Sequence, residues 1–99
     1  MAVPDTVGAI ATGRKSAVGA SVLPLTTANI ACVRGVLLVP AAANTGNVYF
    51  GGPNITANTA DATDGCVIPA SGVMVPVGNT NLINLIADAA GQTVFWAAL

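Results

Sequence analysis

The feature that most limits the possible folds of this chain is the shortness of its apolar runs. Glycine, proline, asparagine and threonine interrupt every run, so none approaches the roughly 18 apolar residues of a membrane helix. The runs are rich in β-branched residues, which favour strands. Six to eight short strands separated by turns predict an all-β fold, a small antiparallel β-sandwich of which the jelly roll is one form.

The strongest strand pattern lies in residues 30–52. Residues 30–39 are apolar and end at Pro40, and residues 47–50 form a second run. The intervening Asn44-Thr45-Gly46 accepts the positive φ angles of a chain reversal. We therefore predict a β-hairpin here, with a loop of about six residues.

A second hairpin is predicted from residues 82–87 and 92–99. A helix over 82–89 is the alternative, since it would place Leu82, Leu85 and Ile86 on one face. The flanking turns and the aromatic partner run favour strands.

The remaining segments divide the chain into two parts. Residues 26–99 are predicted to form the sandwich domain, and residues 1–25, rich in glycine and other small residues, an extended N-terminal arm or edge strand. Pro76 predicts that the short run 73–77 is also an edge strand, because proline cannot donate to a ladder. The polar segment 53–65 is predicted to be a long surface loop.

Charged residues make up only 7% of the chain, against about 25% in an ordinary soluble domain. This shortage predicts no basic patch for nucleic acid and a tendency to associate. Because the N-terminus does not resemble a signal peptide, synthesis in the cytoplasm is expected. The charged side chains are Arg14, Lys15, Arg34, Asp5, Asp61, Asp64 and Asp88.

Groups for acid–base catalysis are scarce. The chain has no histidine and no glutamate, so we expect no enzyme, and the sequence predicts no catalytic, cofactor-binding or metal-binding residue. Residues 61–65 resemble the start of a calcium loop but have too few oxygen ligands, and a solvated turn is expected. Cys32 and Cys66 have no zinc spacing; both are expected to be small buried side chains, with a disulfide as the alternative.

The sequence therefore favours a role in protein–protein contacts. Trp96 and Phe95 must point to opposite faces of one strand, so one of them is exposed or covered by another element. The arm 1–25 could lie on its own domain, be a poorly ordered terminus, or pair with a neighbouring subunit by strand addition. In the last case Arg14 and Lys15 are the expected polar anchors. The predicted interface residues are Val7, Ile10, Arg14, Lys15, Arg34 and Trp96.

From residue 30 onward, four segments resemble small phage virion proteins that decorate or cement a capsid. The stretch in which they lie is roughly 70% of the chain, and Ala70-Ser71 departs from the family, which often has glycine followed by an acid there. The segments are Ala31-Cys32-Val33-Arg34-Gly35-Val36, residues 44–52, Ile68-Pro69-Ala70-Ser71-Gly72, and residues 81–89 with 91–94.

The resemblance implies a β-sandwich that binds the major capsid protein on the outside of an icosahedral head, as a homotrimer. The expected location is the capsid surface of the virion, without nucleic acid or membrane as a partner. A receptor-binding, fibre or tail-associated virion protein, using loop 53–65, is the alternative. A cellular carbohydrate-binding sandwich would need an aromatic platform, and the chain has only four aromatic residues.

Overall fold

The computed structural model describes residues 10–99, and in this range the secondary structure consists of strands and one short 3-10 turn at Thr80–Leu82. The strands are β1 (Ala11–Val18), β2 (Leu23–Pro24), β3 (Val36–Pro40), β4 (Val48–Gly51), β5 (Cys66–Val67), β6 (Val73–Val75), β7 (Asn84–Ala87) and β8 (Gln92–Ala98).

The strands form two four-stranded sheets. Sheet A has the order β1-β8-β3-β6 and sheet B the order β2-β7-β4-β5. The pairs β1–β8, β2–β7, β3–β6 and β4–β5 are all antiparallel, so the chain resembles one long hairpin rolled into two layers. This is the strand order of an eight-stranded jelly roll, and the predicted antiparallel β-sandwich is confirmed.

Both predicted hairpins are wrong. β3 lies in sheet A and β4 in sheet B, and β7 and β8 are likewise in different sheets. Residues 41–47 and 88–91 therefore connect two layers, which in a sandwich are about 10 Å apart. Alternation identifies the inward side of a strand, but both sheets send side chains into the same core, so it does not say which sheet a strand joins.

The core lies between the two sheets, and β8 shows the alternation most clearly. Val94, Trp96 and Ala98 are buried in the core, whereas Phe95 between them is exposed. Trp96 lies across Gly13 of the neighbouring strand, where an added Cβ would come within 2.7 Å of the indole ring. Gly13 thus makes room for the largest side chain of the core.

Polar groups hold the connection between β3 and β4 to the start of β8. The fully buried Gln92 accepts hydrogen bonds from the N–H groups of Thr45 (2.9 Å) and Gly46 (3.0 Å) through Oε1. Its Nε2 donates to Thr45 Oγ1 and to the Ala90 carbonyl. Asn44 adds two bonds to the backbone of Thr93. We call Gln92, Asn44 and their partners the Gln92 clamp.

Three edge strands were anticipated by the sequence or come from segment 1–25. β6, which precedes Pro76, is an edge strand, as predicted. The described part of segment 1–25 supplies an edge strand to each sheet, β1 to sheet A and β2 to sheet B. The register of β1 with β8 shifts between Lys15 and Val18, where Ala17 has a φ of 58°. The predicted domain boundary at residue 25 stays a prediction.

Candidate interaction surfaces

The structure separates the six predicted interface residues. Val7 lies outside the described residues, Ile10 is exposed just before β1, and Arg14 and Lys15 lie on β1 at the edge of sheet A. Arg34 is exposed in the connection that leads into β3. Trp96 belongs to the core, so an interface role does not fit its position, and its exposed neighbour Phe95 was missed.

The side of sheet A that faces away from the core is apolar at its centre, on β8, β3 and β6. The register aligns Arg14 with Phe95 and Val39 in one row, and it aligns Thr12, Ala97, Leu37 and Met74 in the next. We call these seven residues the outer face of sheet A. Phe95 and Met74 are 44% and 43% exposed.

This outer face has fewer polar residues than the solvent-exposed face of a sheet usually has. A solvated outer face normally alternates polar residues with the inward apolar ones. Here the polar residues of the outward side lie at its margins, Thr12 and Arg14 on the edge strand and Thr93 near the start of β8. Phe95 and Val39 also line a depression that continues to Ala42 and Ala70. Exposed apolar surfaces of this kind are typical of interaction sites.

The outward side of sheet B is also apolar, but this chain covers it. Tyr49 and Ile86 are aligned on β4 and β7, on the side away from the core, yet they are only 7% and 6% exposed. Loop 52–65 lies over this side: an added Cβ on Gly65 would be 2.9 Å from Tyr49 Cβ and 3.3 Å from Ile55 Cδ1. Among the described residues, no loop covers the outer face of sheet A in this way. The outward side of sheet A is therefore exposed, whereas that of sheet B is buried.

Loop 52–65 is ordered by Asp64. One carboxylate oxygen accepts hydrogen bonds from the N–H groups of Thr59 (2.8 Å) and Ala60 (3.1 Å) and from the Thr56 hydroxyl (2.9 Å). The Ala60 amide, with smaller contributions from the Thr56 hydroxyl and the Thr59 amide, lowers the pKa of Asp64. The Asp64 carboxylate thus holds together the loop to which it belongs, residues 52–65.

We expect this loop to loosen in acid. Because the pKa of Asp64 is lower in the folded than in the unfolded chain, its contribution to loop order is complete above the ordinary value of 3.8. It is lost as the pH falls through the lower folded-state pKa. Amide hydrogen exchange at Thr59 and Ala60 should therefore accelerate steeply below that pKa, relative to the amides of β8.

The Asp64→Asn variant is the control for this prediction, because its side chain does not titrate. Its Thr59 and Ala60 amides should lack the acid transition. A transition of the same size in wild type and variant would contradict the role given to Asp64.

A second apolar surface lies at one end of the sandwich. Val33 and Leu82 are 63% and 57% exposed, and we call them the end patch. Their connections, residues 25–35 and 76–83, are joined by bonds from the Cys32 N–H to the Gly78 carbonyl and from the Thr80 N–H to the Ile30 carbonyl. The end patch is therefore held on a hydrogen-bonded pair of loops.

Positive and negative side chains lie on different sides of the molecule. Arg14 and Lys15 are on β1, and the N–H of Arg34 donates to the carbonyl of Leu99, next to β8, so all three cations lie beside sheet A. Asp61 and Asp64 instead lie in loop 52–65, on the side of sheet B. Asp88 lies between the two sheets, in the connection 88–91, where it accepts a hydrogen bond from the Asn47 N–H.

The two cysteines are free thiols, so the alternative of a disulfide is wrong. Cys32 is half-buried, and burial raises the pKa of its thiol. Cys66 was predicted to be buried but is exposed, because β5 is an edge strand of sheet B.

In residues 10–99, no group of three or more histidine, cysteine, aspartate or glutamate side chains could hold a metal ion. The same range contains no helix of the length and hydropathy needed to span a membrane. Comparison of the chain with protein-family models, curated proteins and solved structures finds no match.

Proposed function

We propose that this chain is a decoration, or cement, protein of a phage virion that binds the outer surface of the major capsid shell and stabilises the head. The observation that carries the proposal is the presence of two separate exposed apolar surfaces, the outer face of sheet A and the end patch, on a chain with few charges. A cement protein needs two contacts, one with the shell and one with neighbouring copies.

The fold and the residue types suit this role. Jelly rolls occur in viral capsid proteins, although a fold alone does not assign a function. A stiff domain with few charged residues can cover seams between capsid subunits. Because a head carries many equivalent positions, a modest contact gains avidity when copies are linked. In this proposal the chain is a homotrimer on the capsid surface, its partner is the major capsid protein, and it catalyses no reaction.

We assign the contact with the shell to the end patch, since the outer face of sheet A lies on a different side of the sandwich. Val33 and Leu82 project from loops that hydrogen bonds hold together, so little order is lost on binding. The exposed Arg34 lies next to Val33 and would form part of the polar rim of this contact.

Co-sedimentation with phage heads assembled without this protein tests the assignment. We expect the wild-type chain to pellet with heads and to remain in solution without them. Leu82→Asp should weaken binding by more than about tenfold, because it places a charge in a desolvated apolar contact. Ser71→Asp, an exposed position in the turn between β5 and β6, adds the same charge elsewhere and should bind as wild type.

Two results would contradict the proposal. A wild-type chain that ignores heads would exclude a cement role and favour a receptor-binding, fibre or tail-associated one. Equal loss of binding in Leu82→Asp and Ser71→Asp would show that added charge in general, and not the end patch, decides binding.

A further inference from the structure

We infer that copies of this chain associate head-to-tail, with the outer face of sheet A of one copy packed against the sheet B side of the next. The inference deepens the proposed function, on which it rests for the self-association of the chain. It adds which two surfaces meet and in what orientation.

Only one of the two sheets has an outward side that is open to another copy within the described residues. Loop 52–65 covers the outward side of sheet B, so Tyr49 and Ile86 are buried within their own chain. The outer face of sheet A leaves Phe95 and Met74 almost half exposed, and they lie on adjacent rows of the sheet. The sheet A side thus has an exposed apolar surface. The sheet B side presents a polar loop, which Asp64 orders through hydrogen bonds.

Charge distinguishes the two ways in which copies could pack. The outer face of sheet A carries Arg14, with Lys15 beside it on β1, and none of its members is an aspartate. Two copies packed through this face would bury positive charge of both chains without a counter-charge, and like charges at an interface oppose association. Loop 52–65 on the sheet B side carries Asp61 and Asp64 and thus has the opposite sign. A second copy in head-to-tail orientation is therefore the complementary partner.

The symmetry of the contact determines how the assembly can grow. A head-to-tail contact uses two different patches, so an open assembly keeps one unused patch of each kind, one at either end. The two patches lie on opposite sides of the sandwich, so copies stacked without rotation form an open row, and a ring forms only when each copy is turned relative to the previous one. The trimer of the proposed function requires a turn of about 120° per copy, around an axis that leaves the end patches facing one common surface.

Sedimentation velocity of the full chain over a concentration series tests the contact itself. We expect a reversible assembly larger than a dimer that weakens as salt is added, because the interface contains charge pairs. Phe95→Asp should weaken self-association by more than about tenfold. Leu82→Asp alters the end patch instead and should associate as wild type. Both positions are exposed, so circular dichroism should show both variants folded.

A charge exchange tests the orientation. Arg14→Asp alone and Asp61→Lys alone should each weaken association at low salt, by about two- to fivefold for an exposed pair. The double variant carrying both changes in one chain should recover it, since each swapped face then meets a swapped partner. In a contact between two identical outer faces of sheet A, Asp61→Lys would have no effect and the double variant would behave like Arg14→Asp.

The outcomes separate this inference from the proposed function. A wild-type chain that is monomeric at all concentrations, or a Phe95→Asp variant that associates normally, overturns the head-to-tail contact even if heads are still bound. A chain that assembles as described and recovers on charge exchange supports the contact even if it ignores heads, in which case only the cement role fails.

Discussion

Gly35→Ala is expected to lower the unfolding temperature of the protein by roughly 12–40 °C. Gly35 is buried with a φ of 140°, which side chains other than hydrogen rarely permit. An added Cβ would also overlap the carbonyl oxygen of Val75 and lie 2.9 Å from Pro76 Cα, and both are backbone atoms that cannot rotate away. We estimate a loss of about 3–5 kcal/mol, from backbone strain and overpacking of similar size.

Thermal unfolding followed by circular dichroism measures this effect, and Gly78→Ala is the matched control. An added Cβ on Gly78 would meet no atom within 4 Å. The control should stay within about 0.5 kcal/mol of wild type. Similar unfolding temperatures for Gly35→Ala and Gly78→Ala would show that β3 and β6 do not approach as closely as described.

Gln92→Leu is expected to destabilise the protein by about 2–5 kcal/mol. Leucine has a similar volume but leaves the N–H groups of Thr45 and Gly46 without the acceptor that they use in the folded chain. Each unpaired amide costs up to about 1–3 kcal/mol, since both are partly buried. The connection between β3 and β4 is then held to β8 only through Thr93, by Asn44 and the Ala41 N–H.

Chemical denaturation of Gln92→Leu and of Asn54→Leu, at an exposed loop position, separates this effect from the loss of an amide in general. Asn54→Leu should change the free energy of unfolding by less than about 0.5 kcal/mol. In Gln92→Leu, the amide of Thr45 should exchange faster than those of β3. Unchanged stability of Gln92→Leu would mean that water replaces the side chain as the partner of these amides.

The sequence predicted the fold class because alternation and turn residues act locally. In β8, the alternation of Val94, Phe95 and Trp96 determines which side chains are inward, and Pro76 identifies an edge strand from its missing N–H. The pairing of strands was not predictable in the same way. Residues 41–47 could reverse the chain in either a hairpin or a crossing between sheets, and the hydrogen bonds that hold the crossing come from Gln92, which is distant in sequence.

The outer face of sheet A could be predicted only in part from the sequence. Either Phe95 or Trp96 had to be exposed, but alternation within one strand could not say which, because that depends on Gly13 making room for the indole. The missed signal is β3, where residues 36–39 are apolar on both sides of the strand. Such a run is typical of a strand covered on both faces. Its alignment with Met74 and Ala97 appears only in the register of the folded sheet.

The measurement that tests the cement role most directly is the temperature at which heads assembled without this protein break open, with and without the chain at saturation. A molecule that binds only the assembled shell must stabilise it. We predict that the wild-type chain raises this temperature, that Ser71→Asp does so equally, and that Leu82→Asp does so only at much higher concentration. Heads that carry the bound protein and still break open at the original temperature would contradict the account.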